Sequence, residues 1–172
     1  MPEISPWLLL AGALLVYVTL ERLFELLLSR RHTRTLLAEG AYEVGRGHYP
    51  FMVGVHVLWL AALWALLLGG GAVFAPVPAI LYVLVQLLRF WTMATLGGLW
   101  TTRIIVVPHV PLVKSGPYRF LRHPNYVVVV LEIALLPLAL GSWPLALGFS
   151  AANAFALFLR IQAEETTLRK RS

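Results

Sequence analysis

The sequence predicts an all-α integral membrane protein: five transmembrane helices, a polar cytoplasmic loop and a short C-terminal helix. Three observations predict it. Of the 172 residues, 59% are apolar and 13% charged, with a mean hydropathy of +0.78; a soluble domain carries roughly 45–50% and about 25%. Five apolar stretches, broken by Pro/Gly turns or polar segments, approach the ~20 residues that cross a bilayer as a helix. All the loop basic residues fall on alternate connections, hence on one side of the membrane. The length suits a single domain over residues 1–172. Cysteine is absent, which excludes disulfides, thiolate metal sites and a cysteine nucleophile, and no metal is expected. Aspartate is absent too, so the eight glutamates are the only side-chain carboxylates.

The first span covers residues 6–28. It reads as a span and not a signal peptide: the basic cluster follows it, no small-residue cleavage site ends it, and it exceeds the usual ~7–15 residue apolar region. A polar segment follows from Ser29 to about Tyr49. The second span covers about 50–68 and stops at Gly69-Gly70-Gly71. Pro76 and Pro78 open the third, which runs over 76–99, and a polar stretch then fills residues 101–123. The fourth span covers 124–140, with Gly141-Ser142-Trp143-Pro144 as a tight turn after it. The fifth covers 144–160 and continues as a polar helix to Arg171.

Loop charge sets the orientation. Arg30, Arg31, Arg34 and Arg46 follow span one; Arg103, Lys114, Arg119 and Arg122 follow span three; Arg169, Lys170 and Arg171 close the chain. The two opposite connections, residues 69–75 and 141–143, carry no charge. The positive-inside rule therefore places the N-terminus outside and the C-terminus in the cytoplasm. Net charge +6 and a pI near 10.2 fit contact with anionic lipid. Because the basic residues are spread over three juxtamembrane segments, nucleic acid is not an expected partner. Small-residue faces such as Gly97-Gly98 permit dimers without requiring them.

Ionisable residues inside hydrocarbon are costly and mark function or internal pairing. Glu21, Arg22 and Glu25 lie in the last turns of span one, with Glu21 and Glu25 four apart on one face. Snorkelling to the interface suits Arg22 well and the short carboxylates poorly. Arg89 lies about ten residues from the cytoplasmic end of span three, roughly 15 Å deep, and Glu132 about 13 Å deep in span four at 1.5 Å per residue. An Arg89–Glu132 pair inside the bundle follows, with a structural or a substrate-facing role, and Asn153 at similar depth in span five is a candidate to join it. His56 reads first as a satisfied helix histidine and second as a ligand. His48, beside Gly45 and Gly47 at the interface, is more open to a catalytic or binding role. Gly45-Arg46-Gly47 lacks the strand, third glycine and helix of a dinucleotide fingerprint.

The segment from Pro108 to Tyr126 is too polar to span and too rich in aromatics, histidine and turn residues to be a plain linker. Ser115-Gly116-Pro117 is a turn signal, and Pro124 is a good first helical residue. His123, Asn125 and Tyr126 thereby gather at a helix N-terminus, where N–H groups and the dipole favour an anionic group. A basic loop on lipid headgroups is the plainer alternative. Arg160 and Glu164, four apart at the end of span five, could be a surface helix pair. With Glu165, the two carboxylates are also placed to meet a cationic ligand, so the two segments together suit a zwitterionic or sulfonium compound.

The run Leu112-Val-Lys-Ser-Gly-Pro-Tyr-Arg-Phe-Leu-Arg-His-Pro-Asn-Tyr126, followed about 35 residues later by Arg160-x-x-x-Glu164-Glu165, resembles the isoprenylcysteine carboxyl methyltransferase family. Segments around Glu25–Arg31, Gly40–Pro50 and Leu96–Arg103 are similar to its bacterial branch, so the resemblance covers nearly the whole chain. It implies an integral membrane methyltransferase that uses S-adenosylmethionine without a Rossmann domain. Carried over by motif, the cofactor pocket would be lined by His109, Leu112, Val113, Gly116 and Tyr118, then by His123, Pro124 and Tyr126, with Glu164 or Glu165 closing it. Arg160 matches an arginine used near the methyl-transfer centre. The acceptor would meet His56, Arg89, Glu132 and Asn153 within the spans, and Trp100 and Arg103 at the end of span three. Val127 to Val130 stand where eukaryotic members usually carry a small residue, and the chain lacks their longer C-terminal extension. Bacterial relatives look more like O-methyltransferases of long-chain phenolic or pyrone lipids.

The implied reaction is an in-line displacement in which a lipophilic acceptor's oxygen attacks a sulfonium methyl group, so the protein has mainly to align two reactants and exclude water. A carboxylate acceptor needs no base. A phenol, with pKa near 10, needs a base or a nearby cation: Arg160 would steady the anion and Glu21, Glu25 or His48 would take the proton, with Glu164 also essential. The lipid tail enters sideways from the bilayer and the cofactor from the cytoplasm. Two alternatives are a membrane NADPH-dependent lipid reductase, and a small transporter or lipid-binding bundle in which Arg89, Glu132 and Asn153 form a pathway.

Overall fold

The computed structural model describes residues 5–108 and 110–169, and of residues 163–169 the backbone alone. Five helices run back and forth: α1 (Pro6–Ala38), α2 (Tyr49–Leu68), α3 (Pro76–Leu96), α4 (Pro124–Ala139) and α5 (Trp143–Arg169). Prolines at the first turns of all five agree with proline's fixed φ and its missing N–H. The expected starts near residues 50, 76, 124 and 144 therefore match the structure.

One local expectation is corrected. The segment after Ser29 is not a polar connector from its start: α1 stays helical to Ala38, 33 residues in all. Nothing between Ser29 and Ala38 breaks a helix, and Gly40 (φ +90°) ends it, with the Ala41 N–H donated to the Leu36 carbonyl at 3.0 Å. The architecture is helical as expected, with one short ribbon that was not expected. Strands β1 (Tyr42–Val44) and β2 (Ile104–Val106) pair antiparallel, Tyr42 opposite Val106 and Val44 opposite Ile104. Three-residue strands are too short to print a period in the sequence.

Among the described residues, four helices are long and apolar enough to cross a membrane: α1, α2, α3 with the 3₁₀ turn Gly97–Leu99, and α5. Helix α4 has 16 residues, about 24 Å at 1.5 Å per residue. It packs between α3 and α5, so most of its surface meets protein. Outward-facing side chains are large and apolar, among them Leu27 (65% exposed), Leu58, Leu87, Phe155 and Phe158. A surface of this kind is stable against lipid and unstable against water.

The apolar core lies toward the end opposite the basic loops. Ala11, Leu15 and Val18 of α1 meet Trp59 and Leu63 of α2, Tyr82 of α3, and Ile133, Leu136 and Leu140 at the α4 end. There the connection after α2 closes α4: the Val73 and Ala75 N–H groups donate to the Leu140 and Ala139 carbonyls at 3.1 and 2.8 Å. Gly141 (φ +77°) is required at that turn, because a Cβ on it would stand 2.8 Å from the Val73 carbonyl oxygen.

Candidate active site

Midway along the bundle the apolar core gives way to a buried charge network. The Arg89 guanidinium on α3 donates from Nε to Glu132 Oε1 (2.6 Å), from Nη2 to Glu132 Oε2, and from Nη1 to Glu25 Oε1 on α1 (2.5 Å). Arg22 donates to Glu25 Oε2 (2.8 Å) and Glu132 Oε2 (3.0 Å), and Gln86 to Glu132 Oε1 (2.9 Å). The expected Arg89–Glu132 pair is present and wider than expected, since α1 supplies a second arginine and a second carboxylate. Arg22 does not snorkel outward: its side chain is 16% exposed and its guanidinium turns into the bundle. Glu21 stands at the margin of the network, 3.4 Å from both Arg22 Nη2 and the Tyr17 hydroxyl. Asn153 is buried at the 1% level, yet makes no hydrogen bond to the pair and does not join it.

At the basic end, the two-stranded ribbon, the residues before it at Thr102 and the starts of α2 and α4 surround Arg160 on α5. Its Nε donates to the Tyr126 hydroxyl (3.0 Å), and Nη1 to the Thr102 carbonyl (2.8 Å) and to Met52 Sδ (3.2 Å). Its guanidinium carbon also sits 5.4 Å from the Tyr126 ring centre. Arg160 also lines a cleft with His48, Tyr49, Met52, Arg103 and Glu43, and Tyr126 is not among the residues that line it. Arg103 donates to Glu43 Oε1 at 2.8 Å and covers the Tyr49 ring at 4.4 Å, and Glu43 Oε2 accepts from Arg46 at 3.1 Å. With Glu43 engaged by two arginines, Arg160 leaves the cleft net positive.

The polar loop leads to Arg160 through Tyr126 at the start of α4. After an irregular stretch in which Leu112 is 67% exposed and Val113 half-buried, the chain makes a 3₁₀ turn at Gly116–Arg119 that packs on the end of α3. Gly116 (φ +55°) is needed twice: for its backbone conformation, and because a Cβ there would collide with the Thr95 hydroxyl. His123 precedes the buried Pro124, and its ring stacks on Tyr126 with centres 5.0 Å apart and planes 14° apart. The helix start offers less to an anion than its sequence implies. Pro124 has no N–H, and those of Tyr126 and Val127 are donated to the His123 carbonyl at 3.1 and 3.3 Å.

The structure thus brings together Arg160, Tyr126, His123, His48 and Arg103, while Gly116 and Tyr118 lie in the turn packed on the end of α3. It does not bring Glu21, Glu25, Arg89 or Glu132 into the cleft. His56 makes a bond within its own helix, Nδ1 to the Met52 carbonyl at 2.9 Å, and meets Trp59 edge-on. Trp100 is buried, and its carbonyl is bonded to His32 Nδ1 (2.8 Å). His109 lies outside the described residues. Glu164 and Glu165 lie on the last turns of α5, where side chains are outside the description. Sequence reasoning missed Glu43, Met52, Ser29 and Thr102. The signal for Thr102 was slight: a polar Thr101-Thr102 pair between a helix end and a β-branched run.

Comparison with known proteins places this geometry in context. The family described as the isoprenylcysteine carboxyl methyltransferase (ICMT) family matches residues 78–170, more than half of the chain. The uncharacterized protein YpbQ of Bacillus subtilis (strain 168) is 36% identical over 170 residues, covering 96% of this chain and 98% of that protein. An uncharacterized protein of Haemophilus influenzae (strain ATCC 51907 / DSM 11121 / KW20 / Rd) is 26% identical over 152 residues, covering 86% and 88%. No solved structure matches.

Proposed function

The chain belongs to the isoprenylcysteine carboxyl methyltransferase family, and from that premise we propose that it transfers a methyl group from S-adenosylmethionine to an oxygen of a lipophilic acceptor within the membrane. The observation that carries this reading is the position of Arg160, which both bonds Tyr126 of the family motif and lines a positive cleft. A cofactor bound on the motif loop and an acceptor in the cleft would meet at that guanidinium.

The residues present suit the cofactor. The stacked His123–Tyr126 pair offers a flat face for an adenine ring, and Gly116 lets the loop lie close on α3. Glu164 and Glu165 are the carboxylates one turn beyond Arg160. Bound there, S-adenosylmethionine supplies an electrophilic methyl group on a sulfonium that leaves as a neutral thioether. The chain's own contribution is alignment and electrostatics. Arg160 stabilises negative charge on the acceptor oxygen, and His48 is the proton acceptor when that oxygen arrives as a hydroxyl. The ion pairs linking α1 to α3 and α4 hold the cleft walls in register from below.

We place all five helices across the bilayer, α4 being short because its neighbours enclose it, with the N-terminus outside and the motif loop in the cytoplasm. The acceptor's tail lies among the apolar helix faces. Transfer of labelled methyl from S-adenosylmethionine to N-acetyl-S-farnesylcysteine and to 5-pentadecylresorcinol tests the reading and separates a carboxylate from a phenol. Transfer to either, lost in Arg160→Ala, is expected. Equal transfer by Arg160→Ala would refute the placement of the reacting centre.

A further inference from the structure

We propose that Tyr49 is an acceptor-contacting residue whose hydroxyl proton is aimed into the cleft beside Arg160 by a chain of hydroxyls starting on α1; this rests on the methyl-transfer reading above. The chain is Ser29 Oγ to Thr102 Oγ1, 2.8 Å, and Thr102 Oγ1 to the Tyr49 hydroxyl, 3.0 Å. Either oxygen of each pair can donate; the order assigned here is the one that leaves the free proton on half-buried Tyr49 and not on Ser29, which is 2% exposed.

A helical serine or threonine ordinarily gives its proton to the carbonyl four residues back. Thr19, Thr35, Thr92 and Thr95 do so here, at 2.7 to 3.3 Å. Ser29, equally helical and buried, does not. It accepts the Thr102 N–H at 2.9 Å, and its own proton is left for Thr102 Oγ1. Thr102, having accepted that proton, donates its own to Tyr49. The phenolic proton of Tyr49 then has no acceptor among the described residues, and Tyr49 lines the cleft.

Two further features sharpen this donor. Each bond in a run of hydroxyls polarises the next, and the Arg103 guanidinium 4.4 Å over the Tyr49 ring withdraws charge from it. Thr102 also fixes where the donor stands. Its carbonyl takes Arg160 Nη1 at 2.8 Å, so Tyr49 of α2 and Arg160 of α5 are registered on one residue. Arg160 Nη2 has no bond among the described residues and completes a pair of donors for one oxygen atom. Tyr49 transfers no proton in this arrangement; it donates a hydrogen bond to the acceptor oxygen and orients its lone pair. Tyr49 and Ser29 precede the stretch that the family description matches, and Thr102 lies within it.

The test uses the full chain in nanodiscs, with S-adenosylhomocysteine binding and labelled methyl transfer to 5-pentadecylresorcinol as readouts. Tyr49→Phe is expected to lower kcat/KM for the acceptor about 100-fold, the usual scale for losing one preorganised donor to an oxyanion, with homocysteine-product affinity unchanged. Thr102→Val should lower it less, and Thr102→Ser should restore native rates, which a role in packing alone would not produce. Native rates in Tyr49→Phe, equal impairment in the valine and serine variants, or a parallel loss of product affinity would each overturn the proposal. If the native chain neither binds S-adenosylhomocysteine nor transfers methyl, the underlying reading falls and this one with it. Binding and transfer with an indifferent Tyr49→Phe removes this one alone.

Discussion

Replacing Glu132 tests whether α1, α3 and α4 are held together by charge inside the bilayer. The carboxylate accepts two bonds from Arg89, one from Arg22 and one from Gln86. Glu132→Leu leaves both arginines facing Glu25, with a buried positive charge uncompensated. Removing one partner of a buried pair costs about 3–5 kcal/mol. For a chain of this length each kcal/mol moves Tm by roughly 2–4 °C, so a fall of about 6–20 °C is expected. Glu132→Gln keeps an acceptor oxygen and the side chain's shape, and should lose about 1–3 kcal/mol. Glu21→Gln, whose two contacts are both 3.4 Å, should lose less than either. Unfolding in detergent, followed by the fluorescence of the six tryptophans, gives the order directly. Exchanging Arg89 and Glu132 should restore little, since a carboxylate at position 89 would face Glu25. A Glu132→Leu protein that melts with the native chain, or a Glu21→Gln protein that melts as early as Glu132→Leu, would refute the reasoning.

Three other outcomes follow from the same geometry. Arg160→Ala should lower methyl transfer about 10²–10³-fold while the protein still inserts and its affinity for S-adenosylhomocysteine persists, as calorimetry would record; Glu164→Ala should lower both transfer and that affinity. Gly116→Ala combines a left-handed backbone, about 1–2 kcal/mol for a residue with a Cβ, with a collision at Thr95; it should weaken S-adenosylhomocysteine binding, and Thr95→Ala should recover part of the loss. The chain has no native cysteine, so single substitutions report topology cleanly: Ser115→Cys should react with a membrane-impermeant maleimide only from the cytoplasmic side, and Ser142→Cys only from outside.

Helix boundaries were legible because proline and glycine act locally: Pro50, Pro76 and Pro124 start helices and Gly141 ends a turn, whatever the rest of the chain does. The Arg89–Glu132 pair was legible from depth alone, since two opposite charges at one level of a hydrocarbon slab have few alternatives to pairing. The membership of Arg22 and Glu25 was not, because it depends on how α1 is rotated against α3 and α4. Arg22 near a span end is as consistent with snorkelling as with an inward turn. The ribbon and the Ser29–Thr102–Tyr49 chain were invisible for a related reason. Each joins residues 53 or more positions apart through single contacts, and single contacts leave no periodicity. At Arg160 the motif marked the residue, but its bonds to Thr102 and Met52 required the fold.

The central claim is that the loop ending in His123 and Tyr126 holds S-adenosylmethionine next to Arg160. Calorimetric titration of the purified chain with S-adenosylhomocysteine, and separately with NADPH, tests it most directly. Saturable binding of S-adenosylhomocysteine that weakens in His123→Ala, with no heat from NADPH, is the predicted result. Binding of NADPH without S-adenosylhomocysteine, or silence toward both, would contradict it.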